Sequence, residues 1–406
     1  MKIRLLTATA VLLALSSAFG MGRLHAAQYV ISEVMSGLVT PRGLAFGPDG
    51  GLYVTEAGSG GSGPSVVLGN GNTALLGSTS GLSRLLNGVQ TRVLSGLPSV
   101  ATAAGLDASG LQDIAFDSAG QAYGLFSFGS DAMQRDTNLG AAGARLGTIA
   151  KLPLNGMGAI EHVADITVHE FTANPAGGTI DSNPFGLAIA PGGNFLIADA
   201  GANDFLMATA AGAVSTLAVL PAKPNPLPFG PPVYQSVPTA IAIGPDSAYY
   251  IGQLTGFPFP PGAANVYRYD PTTQAVTVAY SGFTNIVDLT FGGDGSLYVL
   301  QVSSNGLAST MGPGTGLLLK VDPTTGIRTT IASEGLVFPG SVVAGPDGTL
   351  YVTNHTNIPT GGQVLSITLV PEPSSLALGG VALVLVALGC RIRLRTHFER
   401  SHRVSP

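Results

Sequence analysis

The sequence predicts an all-β chain, a six-bladed β-propeller of four-stranded antiparallel blades. Three observations predict it. A short phrase recurs along the chain, a second pair of strand-like segments follows each copy, and the last copy ends one strand short while the N-terminal region carries a strand of its own.

The phrase is "FGPDGGLYVTEAG" at Phe46–Gly58, "IGPDSAYYIGQLTG" from Ile243, "FGGDGSLYVLQVSS" from Phe291 and "AGPDGTLYVTNHTN" from Ala344. Weaker copies begin at Phe116 and Ile189. Such internal periodicity marks a repeat architecture. In each copy an apolar segment such as Gly43–Phe46 leads into a Gly-Pro-Asp-Gly turn, and "LYV" leads out. Gly and Asp supply the turn positions, and Tyr and Val suit a pleated, half-buried surface. Each phrase is therefore a β-hairpin, with Asp49, Asp246, Asp294 and Asp347 as turn residues.

A second strand pair follows, as in "SRLLNGVQTRVLSGL" from Ser83 or "GLLLKVDPTTGIRTTIASEGL" from Gly316, which makes each repeat a four-stranded blade. Successive copies lie 70, 73, 54, 48 and 53 residues apart. A blade needs about 40–50 residues, so the first three intervals hold insertions. The final copy stops at "GQVLSITLV" (Gly362–Val370), and "QYVISEVMSGL" from Gln28 resembles the missing fourth strand. Pairing the two would close the ring and remove an open sheet edge.

Composition narrows the function classes. The 406 residues include 57 Gly, 28 Pro and no Trp, with 45% hydrophobic and 10% charged residues, which excludes a disordered chain. Cys390 is the one cysteine, so no disulfide forms within the chain and rigidity must come from packing. Residues 28–375 hold 10 Lys and Arg against 22 Asp and Glu, a net charge of −12. Nucleic acid is a poor partner for such a surface, and a soluble monomer is expected.

Both ends carry targeting patterns. Lys2 and Arg4 precede the apolar run Leu5–Leu15 and small residues, the pattern of a secretory signal peptide. Gly20, Ala26 and Ala27 are candidate cleavage positions; the His-Ala-Ala end at Ala27 makes residues 1–27 the leader. At the other end Pro371, Glu372 and Pro373 precede an expected transmembrane helix over 374–394 that includes Arg391 and Arg393; Arg395 ends the pattern at 371–395 and a cytoplasmic tail 396–406 follows, so an apolar helix is expected at each terminus. Basic residues stay cytoplasmic, so residues 28–370 lie outside. This ending resembles the PEP-CTERM sorting signal. The resemblance implies removal of the helix by an exosortase-type membrane protease and release to the cell surface or matrix; a permanent membrane anchor is the alternative.

Meander geometry puts the entry of each first strand and the exit of each second strand on one face. The exits are Glu56, Phe126, Asp199, Gln253, Gln301 and Asn354. At the entries Asp113 and Asp288 occupy the place held elsewhere by Gly43, Gly186, Ala240 and Ser341, with Arg42 beside Gly43. Arg42, Glu56, Asp113, Asp199, Gln253, Asp288, Gln301 and Asn354 are thus the expected ligand-binding rim. Glu56, Asp113, Asp199 and Asp288 form an oxygen-only set that suits Ca²⁺. Long insertions fall on the same face, as binding-face insertions do in repeat proteins. They bring Phe126, Phe128, Phe185, Phe229, Tyr234, Phe257 and Phe259, aromatics that can stack on a ligand or pack the loops down.

"SGLVTPRGLAFGPDGGLYVTEAGSGGSGP" (Ser36–Pro64), "DSNPFGL" (Asp181–Leu187), "ADAGANDFL" (Ala198–Leu206), "LTGFPFP" (Leu254–Pro260) and "GFTNIVDL" (Gly282–Leu289) resemble the ScyD/ScyE family, named from the bacterial gene cluster for the pigment scytonemin. The likeness runs through nearly all of Gln28–Val370. It implies an exported propeller akin to NHL-repeat proteins and no defined reaction. Two functions of different class follow. One is a non-catalytic propeller that binds an exopolysaccharide or a small aromatic or apolar ligand. The other is a metal-dependent lactonase or hydrolase at the channel mouth. Of His162, His169 and His355 only His355 adjoins the rim, and no Gly-x-Ser-x-Gly, His-Glu-x-x-His or phosphate loop is present. These absences favour binding.

Overall fold

The computed structural model describes residues 28–154 and 158–370. The leader 1–27, the Pro371-Glu372-Pro373 motif, the apolar segment over 374–394 and the tail lie outside the described residues. Among the described residues no helix is long and apolar enough to cross a membrane. The chain divides into two compact units. Residues 31–368 form the ring; of the other unit, 28–30 and 369–370 are described and are extended strand.

The ring has six antiparallel blades. Blade 1 is Pro41–Phe46, Leu52–Glu56, Thr73–Leu86 and Val89–Ala101. Blade 2 is Leu111–Phe116, Ala122–Phe126, Thr148–Leu152 and Glu161–Asp165. Blade 3 is Pro184–Ile189, Phe195–Asp199, Asp204–Ala208 and Val214–Val219. Blade 4 is Pro238–Ile243, Tyr249–Gln253, Ala264–Tyr269 and Val276–Phe283. Blade 5 is Ile286–Phe291, Leu297–Gln301, Leu317–Val321 and Arg328–Ala332. Blade 6 is Val342–Ala344, Leu350–Asn354 and Gly362–Val370, and its fourth strand is the N-terminal Gln28–Leu38. The first strands touch their neighbours all around the ring and are innermost. Expected and observed architecture agree in blade number, strand order and closure.

The recurring phrase is explained by two contacts. Inside each hairpin the turn aspartate is clasped. Asp49 accepts the Gly51 N–H at 3.0 Å, the Tyr53 hydroxyl at 3.0 Å and Arg84 at 2.9 Å. Asp246 accepts from Ala248, Tyr250 and Arg268 in the same way, and Asp294 from Ser296 and Lys320. The turn is thereby tied to the third strand. Between blades, the tyrosine of "LYV" meets the phenylalanine ending the next blade's first strand. Tyr53–Phe116, Tyr250–Phe291 and Tyr351–Phe46 have ring centroids 5.2, 5.0 and 5.5 Å apart. In the weaker copy Phe195 takes this part against Tyr123, at 4.8 Å.

Side chains alternate across a strand, so each blade feeds two interfaces. In blade 3, Phe195 and Ile197 pack toward blade 2, whereas Leu196 and Ala198 pack toward blade 4. A strand buried on both faces reads as a continuous apolar run, which is why "FLIA" and "LYV" lack polar alternation.

The insertions carry the departures from pure β structure. Residues 59–81 add the short strand Ser65–Val67 to blade 1. The 127–147 insertion contains short helical turns, with the buried Arg135 paired bidentately to Asp165 at 2.9 and 3.2 Å. Asp165 also caps helix Ile166–Ala173 by accepting the Val168 N–H. That helix joins blade 2 to blade 3.

Inner strands are stitched to their neighbours. Thr55 donates to the Gln112 carbonyl at 2.9 Å, Thr239 to that of Ile286 at 2.8 Å, and Thr353 to that of Arg42 at 3.0 Å. Asp113 of blade 2 accepts the Leu187 N–H of blade 3 at 2.7 Å. Asp288 of blade 5 accepts the Val342 N–H at 2.8 Å and the Ser341 hydroxyl at 2.6 Å in blade 6. Blades 2 and 5 are opposite in a ring of six, so the two aspartates face each other across the axis. Gly43 makes room for one of them: a Cβ there would stand 2.1 Å from Asp113 Oδ1. The throat they line with Phe185, Thr239 and Ser341 has a volume of about 10 Å³, enough for roughly one water. Burial lifts the Asp288 carboxyl to about 6. Burial and then the Asp288 charge raise Asp113 well above the carboxylate range.

Two outcomes are expected. Met35 of the N-terminal strand is buried against Leu38, Leu44, Leu52, Val54 and Val364. Met35→Ala should cost about 2–5 kcal/mol and lower the melting temperature, while Val30→Ala, half exposed, should leave it unchanged; equal melting of Met35→Ala and wild type would detach this strand from blade 6. Second, a carboxyl whose folded pKa exceeds its unfolded value of about 4 binds more protons when folded. Its stabilisation is complete below that value and is lost as pH rises through the folded one. The melting temperature should therefore fall from pH 4.5 to 7, and Asp113→Asn should flatten the decline. An identical slope in the variant would assign the decline to other groups.

Candidate functional site

The face carrying the first-strand entries holds a pocket beside the throat. Arg42, Gln112, Phe185, Thr239 and Val287 each fall at the bulge near the start of a first strand, where the hairpin pairing skips a residue, and three of them, Arg42, Gln112 and Phe185, line this pocket. Its volume is about 240 Å³, and Asn70, Asp107, Asp181 and Asn183 complete the polar wall. Arg42 is half-buried. One terminal nitrogen donates to the Ala108 carbonyl at 3.0 Å, and Nε is buried without a partner. Burial lowers its pKa to about 10, opposed by the charge of Asp107, so the guanidinium remains cationic at neutral pH. Asp107 is exposed and accepts from Asn72 at 2.7 Å.

The expected exit residues sit where meander geometry puts them, since Glu56, Asp199, Gln253 and Gln301 pair in register with Pro41, Pro184, Pro238 and Ile286. Their side chains do not form a rim; they are buried and occupied. Glu56 accepts from Val39 N at 2.8 Å, the Ser83 hydroxyl at 2.6 Å and Arg92 at 3.2 Å. Asp199 accepts from the Ser182 hydroxyl and from the backbone of Asn183, Gly201 and Ala202. Gln253 bonds Ser236 and Asn265, Gln301 accepts the Thr284 N–H, and Asn354 accepts the Val337 N–H. In four of these blades the exit side chain satisfies a backbone N–H in the loop entering the same blade's first strand. A buried backbone donor needs such a partner, so the polar character of this position is structural.

Of the four carboxylates expected to share a cation, the structure brings together Asp113 and Asp288 alone. Glu56 stands in blade 1 with Arg92. Asp199 stands at the end of blade 3's second strand with Asp204, its cross-strand partner, and near Glu170 and Asp181. Among the described residues no group of three or more His, Cys, Asp or Glu side chains is gathered to hold a metal ion. Sequence reasoning passed over Gln112, Asp107, Asn183, Glu170, Asp181 and Asp204. The available signal was the six-copy alignment one place before the Asp113 position, and the acidic pair flanking the "AGAN" turn.

The loop aromatics divide. Phe126, Phe128 and Tyr234 are buried in the core. Phe229 and Phe257 are 44% and 51% exposed, and with Phe259 they form an edge-to-face trio with centroids 6.3 and 6.1 Å apart. His355 has a left-handed backbone and its N–H bonds the Val337 carbonyl. His169 pairs with Thr216.

No family model matches the chain, and no curated protein matches it. Solved structures do. A structural genomics protein of unknown function from Bacteroides thetaiotaomicron is similar at a TM-score of 0.51 and 10% identity, over 84% of this chain and 76% of the other. A proposed oxidoreductase (glucose dehydrogenase) from Thermus thermophilus is similar at 0.50 and 18% identity, over 84% of this chain and all of the other. Virginiamycin B lyase from Staphylococcus aureus reaches 0.45 at 14% identity, with the same coverage. At such identities a likeness shows the fold and leaves activity open: the chain is a six-bladed β-propeller.

Proposed function

We propose that the chain is an exported propeller of the cell surface or extracellular matrix that binds a glycan, without catalysis, in the pocket beside the channel mouth. The observation that carries this reading is Arg42, a cation with an unspent buried donor in a polar pocket. Donors from Arg42, Gln112 and Asn183 stand beside acceptors on Asp107 and Asp181. A sugar hydroxyl both donates and accepts, so it matches such a mixed wall. Phe185 offers an apolar ring for the sugar's carbon face. The volume is below the roughly 300–1,000 Å³ of drug-sized sites and suits one ring of a longer chain. The exposed Phe229–Phe257–Phe259 trio offers a further stacking surface for the rest of such a chain.

Export rests on residues 1–27 and on Pro371, Glu372 and Pro373, which also name an exosortase-type membrane protease as the processing partner. The lactonase or hydrolase alternative needs metal ligands converging at the mouth, and no observation favours it.

Affinity electrophoresis through gels containing exopolysaccharide tests the reading. Wild type should be retarded. Arg42→Gln should weaken binding tenfold or more, as expected from the about 1.5–3 kcal/mol of a hydrogen bond to a charged group. The exposed substitution Asp107→Asn should weaken it without affecting the fold. Equal mobility of wild type with and without polysaccharide, across neutral and acidic polymers, would remove the glycan reading.

A further inference from the structure

Of the seven buried side-chain polar atoms without a hydrogen-bond partner among the described residues, five are oxygens of one short stretch of chain: Glu170 Oε2, Asn174 Oδ1, Asp181 Oδ1 and both carboxylate oxygens of Asp204. Asp204 is fully buried and Glu170 is 2% exposed. Glu170 and Asn174 lie one turn apart at the end of helix Ile166–Ala173, and Asp204 opens the third strand of blade 3. No Lys or Arg among the described residues pairs with them, and His169 is turned to Thr216. Next to Asp204 stands Asp199, whose four hydrogen-bond donors all favour its ionised form.

We propose that a hard divalent cation, Ca²⁺ by preference, binds between helix Ile166–Ala173 and blade 3, held directly by the carboxylates of Asp204 and Glu170. Buried charges are stable only when paired or coordinating a metal. Protonation alone is a poor substitute, because the acid hydrogen of a neutral Asp204 could be accepted only by a neighbouring carboxylate, Asp199 or Glu170, and the second oxygen of Asp204 would still lack a partner. A cation satisfies both oxygens at once. Among the described residues no three acidic side chains converge on one point; the proposed site therefore uses two carboxylates, with Asn174 and water supplying oxygens for the rest of a shell of about 6–8. A cavity of about 420 Å³, lined by Glu170, Asp181 and Asn203, adjoins the cluster and has room for water ligands. Burial, then the charges of Asp199 and Glu170, hold the Asp204 carboxyl well above the usual carboxylate range. Burial, then Asp199 and Asp181, hold Glu170 at about 7. Asp181 also lines the pocket of Arg42, so the ion would brace one wall of that pocket. The site does not depend on the glycan reading.

The test uses the full chain, stripped with chelator and titrated with CaCl2, with MgCl2 and ionic-strength-matched NaCl in parallel. Equilibrium dialysis should find one Ca²⁺ per chain, and the melting temperature should rise with Ca²⁺ and not with NaCl. Asp204→Asn should lower affinity by about a hundredfold, the scale on which ligand charge tunes such sites, and Glu170→Gln should lower it too. Both variants should fold and melt no lower than metal-free wild type, because each removes an unpaired acid. Asp288→Asn should bind as wild type does. Absence of bound Ca²⁺ and Mg²⁺ in wild type, or binding undiminished in Asp204→Asn, would overturn the proposal.

Discussion

Each blade of this protein is apolar on both faces, and a two-faced sheet has no stable existence alone. The ring is the consequence. Phe195 and Ile197 need blade 2, and Leu196 and Ala198 need blade 4. The same demand repeats until the last face of blade 6 meets the first of blade 1, through Met35, Leu38 and Val364 against Leu44, Leu52 and Val54. With no disulfide available, apolar burial between blades is the main closure energy. The fourth strand of blade 6 comes from the N-terminal side of the chain, so the pairing that ends the ring also joins its two ends.

Packing of this kind dictates where polar groups can go. Inner strands approach closely, so their axis-facing positions are small, as at Gly43, Gly186 and Ala240, or are carboxylates spent on a neighbour's backbone. Loops entering the first strands leave backbone N–H groups that the sheets do not use. The last side chain of the second strand reaches back to them, as Glu56 does to Val39 and Asn354 to Val337. Polar residues placed by these rules are unavailable for ligands, however suggestive their alignment. What remains free stands beside the throat, in the pocket of Arg42 and Gln112.

This separates what was legible in the sequence from what was not. Blade number, hairpin turns and closure were legible because they follow from local chemistry repeated six times. Asp49 and Asp246 read as turn residues and are clasped as turn residues. The exit residues read as a rim because a repeat gives position along a strand and not the burden a side chain carries. Glu56 looks identical in sequence whether it faces water or Arg92. The acidic cluster was hidden for a different reason. Glu170 arrives on a helix inserted between blades 2 and 3, outside the repeat, and meets Asp204 only through tertiary packing. Asp199, the member that the repeat did reveal, is the one already satisfied.

The two polar centres differ in physical kind, and that difference bears on function. Asp113 and Asp288 share a throat that admits about one water, and each accepts backbone or hydroxyl donors from the following blade. Their unfavourable burial is offset by stitching the ring. Asp204 stitches nothing, since neither of its carboxylate oxygens meets a donor, and Oε2 of Glu170 is likewise buried without one. A fold that buries an acid without partners pays a standing penalty, and packing alone gives no reason to keep it. Among the described residues the other blade junctions hold no such helix; helix Ile166–Ala173 places Glu170 beside that acid, and Asp181 in the next loop lines the pocket of Arg42. An insertion that concentrates unmatched oxygens next to a ligand-sized pocket is better explained by what it holds than by what it supports.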